Sequence, residues 1–361
     1  MKRKMIYALV VVAGLPVIAV IILILYLQFT EYTPAPVEQV QTRGKGQPLP
    51  SVKTEFSFLT WNIGYAGLGR EMDFFYEGGK MVRSGKAESE KYIKGIYADL
   101  KSNDTVDFIF LQEIDKNSKR TYRQDQLEEL EKAIPEYCYA FALNYKVGFI
   151  PVPILEPVGQ VTAGLCTFSK HPPENNERHA YDGFFSWPKR LIFLKRCFLA
   201  SAFDICGGKQ LIVVNLHNSA YDVSGELRSK ELAMLQPYLQ REYQKGNFII
   251  VGGDWNMNPR GFRPEKINSG DKFFSIQPVI ASTFMPGWQV VYDPLFPTNR
   301  NVDAPYQKSV TGTTVIDFFV ISPNVKVLKC FTMDRGFENS DHNPVFAKFR
   351  LEIEVAGFSF F

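Results

Sequence analysis

The chain has 361 residues, 45% hydrophobic and 22% charged, which is globular composition and length enough for one large domain or two small ones. Its net charge of +3 shows none of the basic excess that marks a nucleic-acid binder. Five cysteines (Cys138, Cys166, Cys197, Cys206 and Cys330) without C-x-x-C spacing exclude a zinc ribbon and a thioredoxin-type motif, and no G-x-x-x-x-G-K-[ST] is present for a P-loop enzyme.

Lys2, Arg3 and Lys4 precede an uncharged run from Met5 to Phe29. The run exceeds the ~20 apolar residues that span a bilayer and is longer than a signal-peptide core, and no A-x-A cleavage pattern follows it. Residues 1–29 are therefore expected to be a cytoplasmic basic end and one uncleaved transmembrane signal-anchor helix. The basic cluster places the rest of the chain on the non-cytoplasmic side. Residues 30–54, rich in Pro, Gln and Thr, read as a flexible linker. Residues 55–361 then form the folded part, expected to be a monomer.

Six segments of this part read as strands with polar residues at or near an end. FSFLTWNIG (56–64) ends at Asn62, and VDFIFLQEID (106–115) ends at Gln112 and Glu113. KQLIVVNLHNSAYD (209–222) reaches His217, and FIIVGGDWNMNP (248–259) reaches Asp254 and Asn256. TTVIDFFVIS (313–322) carries Asp317 in its middle, and ENSDHNPVFAKFRLEI (338–353) places Asp341 and His342 before a strand. Apolar runs without a polar side fit strands covered on both faces. At period two, Asp254 and Asn256 would point the same way. Each ending also fits an ordinary turn or a satisfied core residue. Asp317 is the exception, because a carboxylate between Ile316 and Phe318 must meet a polar partner or raise its pKa. Between these strands, Leu232, Leu235 and Leu239 in 224–243, and Leu127, Leu130 and Ile134 in 123–136, follow helical spacing.

The ordered set WN (61–62), QE (112–113), NLH (215–217), GDWN (253–256), ID (316–317) and SDH (340–342) resembles the endonuclease/exonuclease/phosphatase superfamily, deoxyribonuclease-like and neutral sphingomyelinase-like members included. The resemblance covers residues from about 56 to 352. It implies an α/β, four-layer α-β-β-α sandwich with two mostly antiparallel sheets and the site at their edge. It also implies Mg2+, with Mn2+ as an alternative, held by Glu113 with Asn62 and Asp341. Asp254 would align or deprotonate the attacking water, with Asn256 fixing Asp254 or donating to the phosphoryl oxygen. His342 would contact the phosphate and be oriented by Asp317, and His217 would help protonate the leaving group.

No carboxylate is identifiable as a partner for His217, and Arg196 fits phosphate binding no better than Lys195 or a surface role. The segment 64–92 reads as a flap over the site or as a disordered insertion. The apolar stretch 145–158 reads as core, as cover for the site or as a lipid contact. The resulting expectation is a membrane-anchored, magnesium-dependent phosphoesterase acting on a phospholipid, a phosphorylated small molecule or a nucleic acid. A non-catalytic anchored binding domain is the alternative from another class.

Overall fold

The apolar runs fold as strands whose two faces are buried in two different layers. The computed structural model describes residues 2–50, 52–183, 185–222, 224–263, 280 and 282–353; the side chains of 2–13 and of residue 206 lie outside that description. Among the described residues the first half of the chain forms α1 (Lys2–Phe29), β1 (Val37–Gln39), β2 (Arg43–Gly44), β3 (Glu55–Asn62), α2 (Lys86–Ser102), β4 (Phe108–Asp115), α3 (Gln126–Ala133), β5 (Cys138–Ile150), β6 (Gly159–Ser169) and β7 (Asn175–Ala180). The second half forms β8 (Cys197–Ile205), β9 (Lys209–His217), α4 (Glu226–Gln244), β10 (Phe248–Asp254), β11 (Gln289–Val291), β12 (Asn299–Arg300), β13 (Thr313–Thr314), β14 (Asp317–Ile321), β15 (Val325–Thr332) and β16 (Val345–Leu351).

Two seven-stranded sheets result, in the orders β1-β7-β8-β9-β10-β14-β11 and β15-β16-β3-β4-β6-β5-β2. Each is antiparallel except for one parallel pair, β9 with β10 and β3 with β4. Successive side chains on a strand face opposite ways, so each run divides by parity. Phe56 and Phe58, Phe108 and Phe110, Leu211 and Val213, and Ile250 meet between the sheets. The residues of opposite parity, Leu59 and Trp61 with Ile109 and Leu111, pack under Ile93, Ile96 and Leu100 of α2 and Leu127 and Leu130 of α3. Ile212, Val214, Ile249 and Val251 pack under Leu232, Leu235 and Leu239 of α4. The order of layers is helix, sheet, sheet, helix, because strands buried on both faces need a cover on each.

The segment 30–54 is not a loose tether. β1 pairs with β7, Val37 opposite His179, and β2 pairs with β5, Arg43 opposite Tyr139. It adds one edge strand to each sheet. Unpaired backbone groups at a sheet edge recruit an extended segment, and the prolines around it suit edge positions.

α1 is one helix with Pro16 inside it. Its side chains are described from Gly14 onward, fewer than the ~20 residues that span a bilayer. Among the described residues no helix is long and apolar enough to cross a membrane. The transmembrane helix expected over Met5–Phe29 is thus not established by the fold, and the side chains of its first part lie outside the described residues. The last turns of α1 rest on the domain, where Leu27 is buried and Leu23 and Ile24 pack beside it. Cys138, Cys166, Cys197 and Cys330 are free thiols.

Candidate active site

The parity that sends phenylalanines between the sheets also aims the polar ends of the same strands. Asn62 continues the series Phe56, Phe58, and His217 continues Leu211, Val213. Asp254 continues Phe248, Ile250, and Asp317 heads the series Phe319, Ile321. Register aligns them, since Asp254 of β10 stands opposite His217 on one side and Asp317 on the other. Asp317 is therefore the first residue of β14 and not its middle. All four are buried. One step below, Gln112 and Asn215 join the sheets through a 2.8 Å hydrogen bond.

Glu113 has the wrong parity, because Phe108, Phe110 and Gln112 face inward. The chain corrects this with an irregularity in the β4–β6 pairing between Leu111 and Ile114, where Glu113 takes φ +59°. A β-bulge re-aims a side chain in this way, and left-handed backbone at a non-glycine residue is a conformational cost that clusters at functional sites. The redirected carboxylate accepts a 3.2 Å hydrogen bond from Asn62 Nδ2. The same amide donates to Asp254 Oδ2 at 3.0 Å, and Asn62 Oδ1 accepts from the Gly64 N–H. Asn62 thus bridges the two carboxylates as a donor.

Asp254 Oδ1 accepts the backbone N–H of Asn256 at 2.9 Å. Asn256 has φ +50° and lies past the strand end, so strand alternation does not orient it. It fixes Asp254 through its own backbone, while its Nδ2 donates to Asn218 O at 2.9 Å. Burial, with Asp317 nearby, pushes the Asp254 carboxyl up to about 7.

The two histidines differ in environment. His342 Nδ1 lies 2.8 Å from Asp317 Oδ2, and Asn299 Nδ2 lies 3.0 Å from its other ring nitrogen. Burial opposes its charge, but the Asp317 and Asp341 carboxylates overcome that and hold His342 well above the ordinary histidine range. His217 Nε2 lies 3.3 Å from Asp254 Oδ2 and 3.8 Å from Glu113 Oε1. Among the described residues its buried Nδ1 has no hydrogen-bond partner, and no carboxylate orients it from behind. Burial first, then Arg196 and His342, push it well below the ordinary value, which keeps it neutral.

Two groups of side chains compete as a cation site. Among the described residues, ligand atoms of Asp254, Asp317 and His342 lie within 4.8 Å of one another. Asp317 and His342 already share a hydrogen bond, which suits a proton relay better than a cage. Glu113 and Asp341 offer carboxylate oxygens, the chemistry of hard cations such as Mg2+, while Asn62, expected beside them as a ligand, turns its Nδ2 to the carboxylates and its Oδ1 to the Gly64 N–H. Burial, opposed by His342 and reinforced by Glu113, pushes the Asp341 carboxyl up to about 7. Two neighbouring carboxylates with this little water are a site that a cation would satisfy. Gly64, at φ +50°, makes room for one of them, since a Cβ there would stand 2.6 Å from Asp341 Oδ1. The residues present fit a divalent cation.

These groups open into a cavity of about 620 Å3. The segment 64–92 supplies Tyr65, Leu68, Phe74, Tyr76, Glu77 and Val82 to its wall, and 145–158 supplies Tyr145, Ile150 and Val158. Both segments are thus walls of the site. Arg196 also lines it, whereas Lys195 is bound to Glu31 at 2.5 Å. Asn299 is the site residue that sequence reasoning missed. It sits in the short β12, outside any apolar run, and only its contact with His342 reveals it. Arg300 beside it is buried and donates to the carbonyls of Leu68, Gly69 and Met72, tying 64–72 to the strand that meets Asp341.

Residues 59–342 match the model of the Endonuclease/Exonuclease/phosphatase family. Among solved structures, an endonuclease/exonuclease/phosphatase from Beutenbergia cavernae is 18% identical, with a TM-score of 0.56 over 83% of this chain and 72% of that one. A family protein from Leptotrichia buccalis is 14% identical, with a TM-score of 0.52 over 82% of this chain and 100% of that one. D. rerio TDP2 complexed with a single-strand DNA product is 14% identical, with a TM-score of 0.51 over the same shares. At these identities the likeness is one of fold. No curated protein matches the chain in sequence.

Proposed function

Because the chain belongs to the endonuclease/exonuclease/phosphatase family of metal-dependent phosphoesterases and nucleases, we propose that it is a membrane-anchored, magnesium-dependent phosphoesterase that hydrolyses its substrate with a water positioned by Asp254. The carrying observation is the convergence of Asn62, Glu113, His217, Asp254, Asp341 and the Asp317–His342 pair at one cavity.

Glu113 and Asp341, with Asn62 beside them, would hold a divalent ion, which would supply Lewis-acid polarisation of a phosphoryl oxygen. Asp254 receives the proton of the attacking water. A carboxyl near 7 is suited to that task, because a general base works best close to the operating pH. Asn62 and Asn256 hold Asp254 from two sides where it lines the cavity. His342, kept charged by Asp317, donates to a phosphoryl oxygen through Nε2. His217, neutral and facing Asp254 and Glu113, hydrogen-bonds on the leaving-group side. Arg196 adds positive charge to the wall.

The anchor is the uncharged run Met5–Phe29 behind Lys2, Arg3 and Lys4. It favours a phospholipid, and the apolar wall of Ile150, Val158 and Ile192 beside the polar centre agrees. The test is a parallel screen of the full chain in detergent micelles, with magnesium, against sphingomyelin, phosphoinositides, plasmid DNA and RNA. Turnover of lipid above nucleic acid is expected. Preferred cleavage of DNA or RNA would replace the lipid reading, and no turnover from a folded sample would leave an anchored binding domain.

A further inference from the structure

We infer that Ile154, Leu155 and Trp187 form a docking rim that seats the mouth of the catalytic cavity on the face of a phospholipid bilayer. The inference rests on the anchored reading above and adds to it a surface and an orientation.

Ile154 and Leu155 lie between β5 and β6 and are 88% and 99% exposed. Trp187 is 56% exposed, while Trp61, Trp255 and Trp288 are at most 7% exposed. A single exposed apolar side chain is ordinary on a soluble surface. One apolar cluster anchors both of their loops. That cluster joins Val152, Leu191 and Ile192 to Leu23, Ile24 and Leu27 from the last turns of α1. Trp187 also donates from Nε1 to Gln28 Oε1 at 3.2 Å. Trp187 therefore lies where α1 meets the domain, and the loop that carries Ile154 and Leu155 is rooted in the same cluster through Val152.

Continuity with α1 identifies the partner. Leu15, Ile18, Ile21, Ile22 and Leu25 of α1 are each at least 50% exposed, and a helix apolar on all sides calls for apolar surroundings along its length. Where such a helix leaves lipid, tryptophan and apolar loop tips sit at the head-group boundary. Lys189, two residues from Trp187, adds positive charge that anionic head groups attract, whereas Arg190 is paired with Glu31 at 3.4 Å. The same cluster holds Val82, Ile150 and Val158, which also line the cavity, so rim and catalytic centre share a wall.

The experiment uses the full chain reconstituted into vesicles of phosphatidylcholine and phosphatidylserine, with and without acyl chains brominated near the head group. Because Trp187 is the exposed indole of the four, bromine quenching reports its depth. Co-flotation with the vesicles and quenching largely lost in Trp187→Phe are expected. Ile154→Asp combined with Leu155→Asp should cut the quenching several-fold and leave hydrolysis of soluble bis-p-nitrophenyl phosphate unchanged. Co-flotation with equal emission in brominated and plain vesicles would overturn the rim, and this includes the case in which another protein covers it. Absence of co-flotation would instead remove the anchor, and the rim with it.

Discussion

Glu113, Asp254 and Asp341 carry acidic groups into one site, at two kinds of structural cost. Glu113 needs left-handed backbone, while Asp254 and Asp341 are pushed up to about 7 mainly by burial. An acid that binds its proton more tightly when folded loses stability as pH rises from its unfolded value of ~3.9 toward its folded one. Asp341→Asn removes that loss. In EDTA the variant should melt above the wild type, with a gap that opens between pH 5 and pH 8, and magnesium should reverse the order. Thermal melts at the two pH values check this, and a gap independent of pH would contradict it. Asp254→Asn should lower kcat by ~10²–10⁴ through loss of the general base, without lowering the melting temperature. His342→Ala should do comparable damage to kcat. Residue types were legible where parity continues an apolar run, as for Asn62, His217 and Asp254. The direction of Glu113 was not, because the bulge that re-aims it arises from pairing with β6. Nor was Asn299, whose role exists only across 43 residues of sequence in its contact with His342.

Among the elements, the strands were the legible part, since β3, β4, β9 and β10 begin within two residues of their apolar runs. The segment 30–54 was not, because edge pairing depends on what the edge offers and not on the composition of the added strand. The wall formed by 64–92 is held by buried contacts. Glu77 accepts the Val302 N–H at 2.7 Å, and Arg300 donates to three carbonyls of 68–72. Arg300→Met leaves those carbonyls without their donor. It should cost on the order of 3 kcal/mol and make 64–85 the first site of limited proteolysis. An unchanged melt and cleavage pattern would show that the wall stands without this residue.

At the scale of the molecule, one geometric rule connects core and chemistry. Two sheets packed face to face bury the inward residues of every strand, and at the end of that layer the same alternation delivers polar groups into a common cavity. Such a layer supports phosphoester hydrolysis only if the acidic groups at its end hold a cation. The most direct measurement is a magnesium titration of bis-p-nitrophenyl phosphate hydrolysis by the full chain and by Glu113→Gln. No turnover in EDTA is expected, with recovery on adding magnesium and roughly ten-fold more magnesium needed at half-maximal rate in the variant, the usual order for weakening one metal contact. Hydrolysis that survives EDTA, or two titrations that superimpose, would contradict the account.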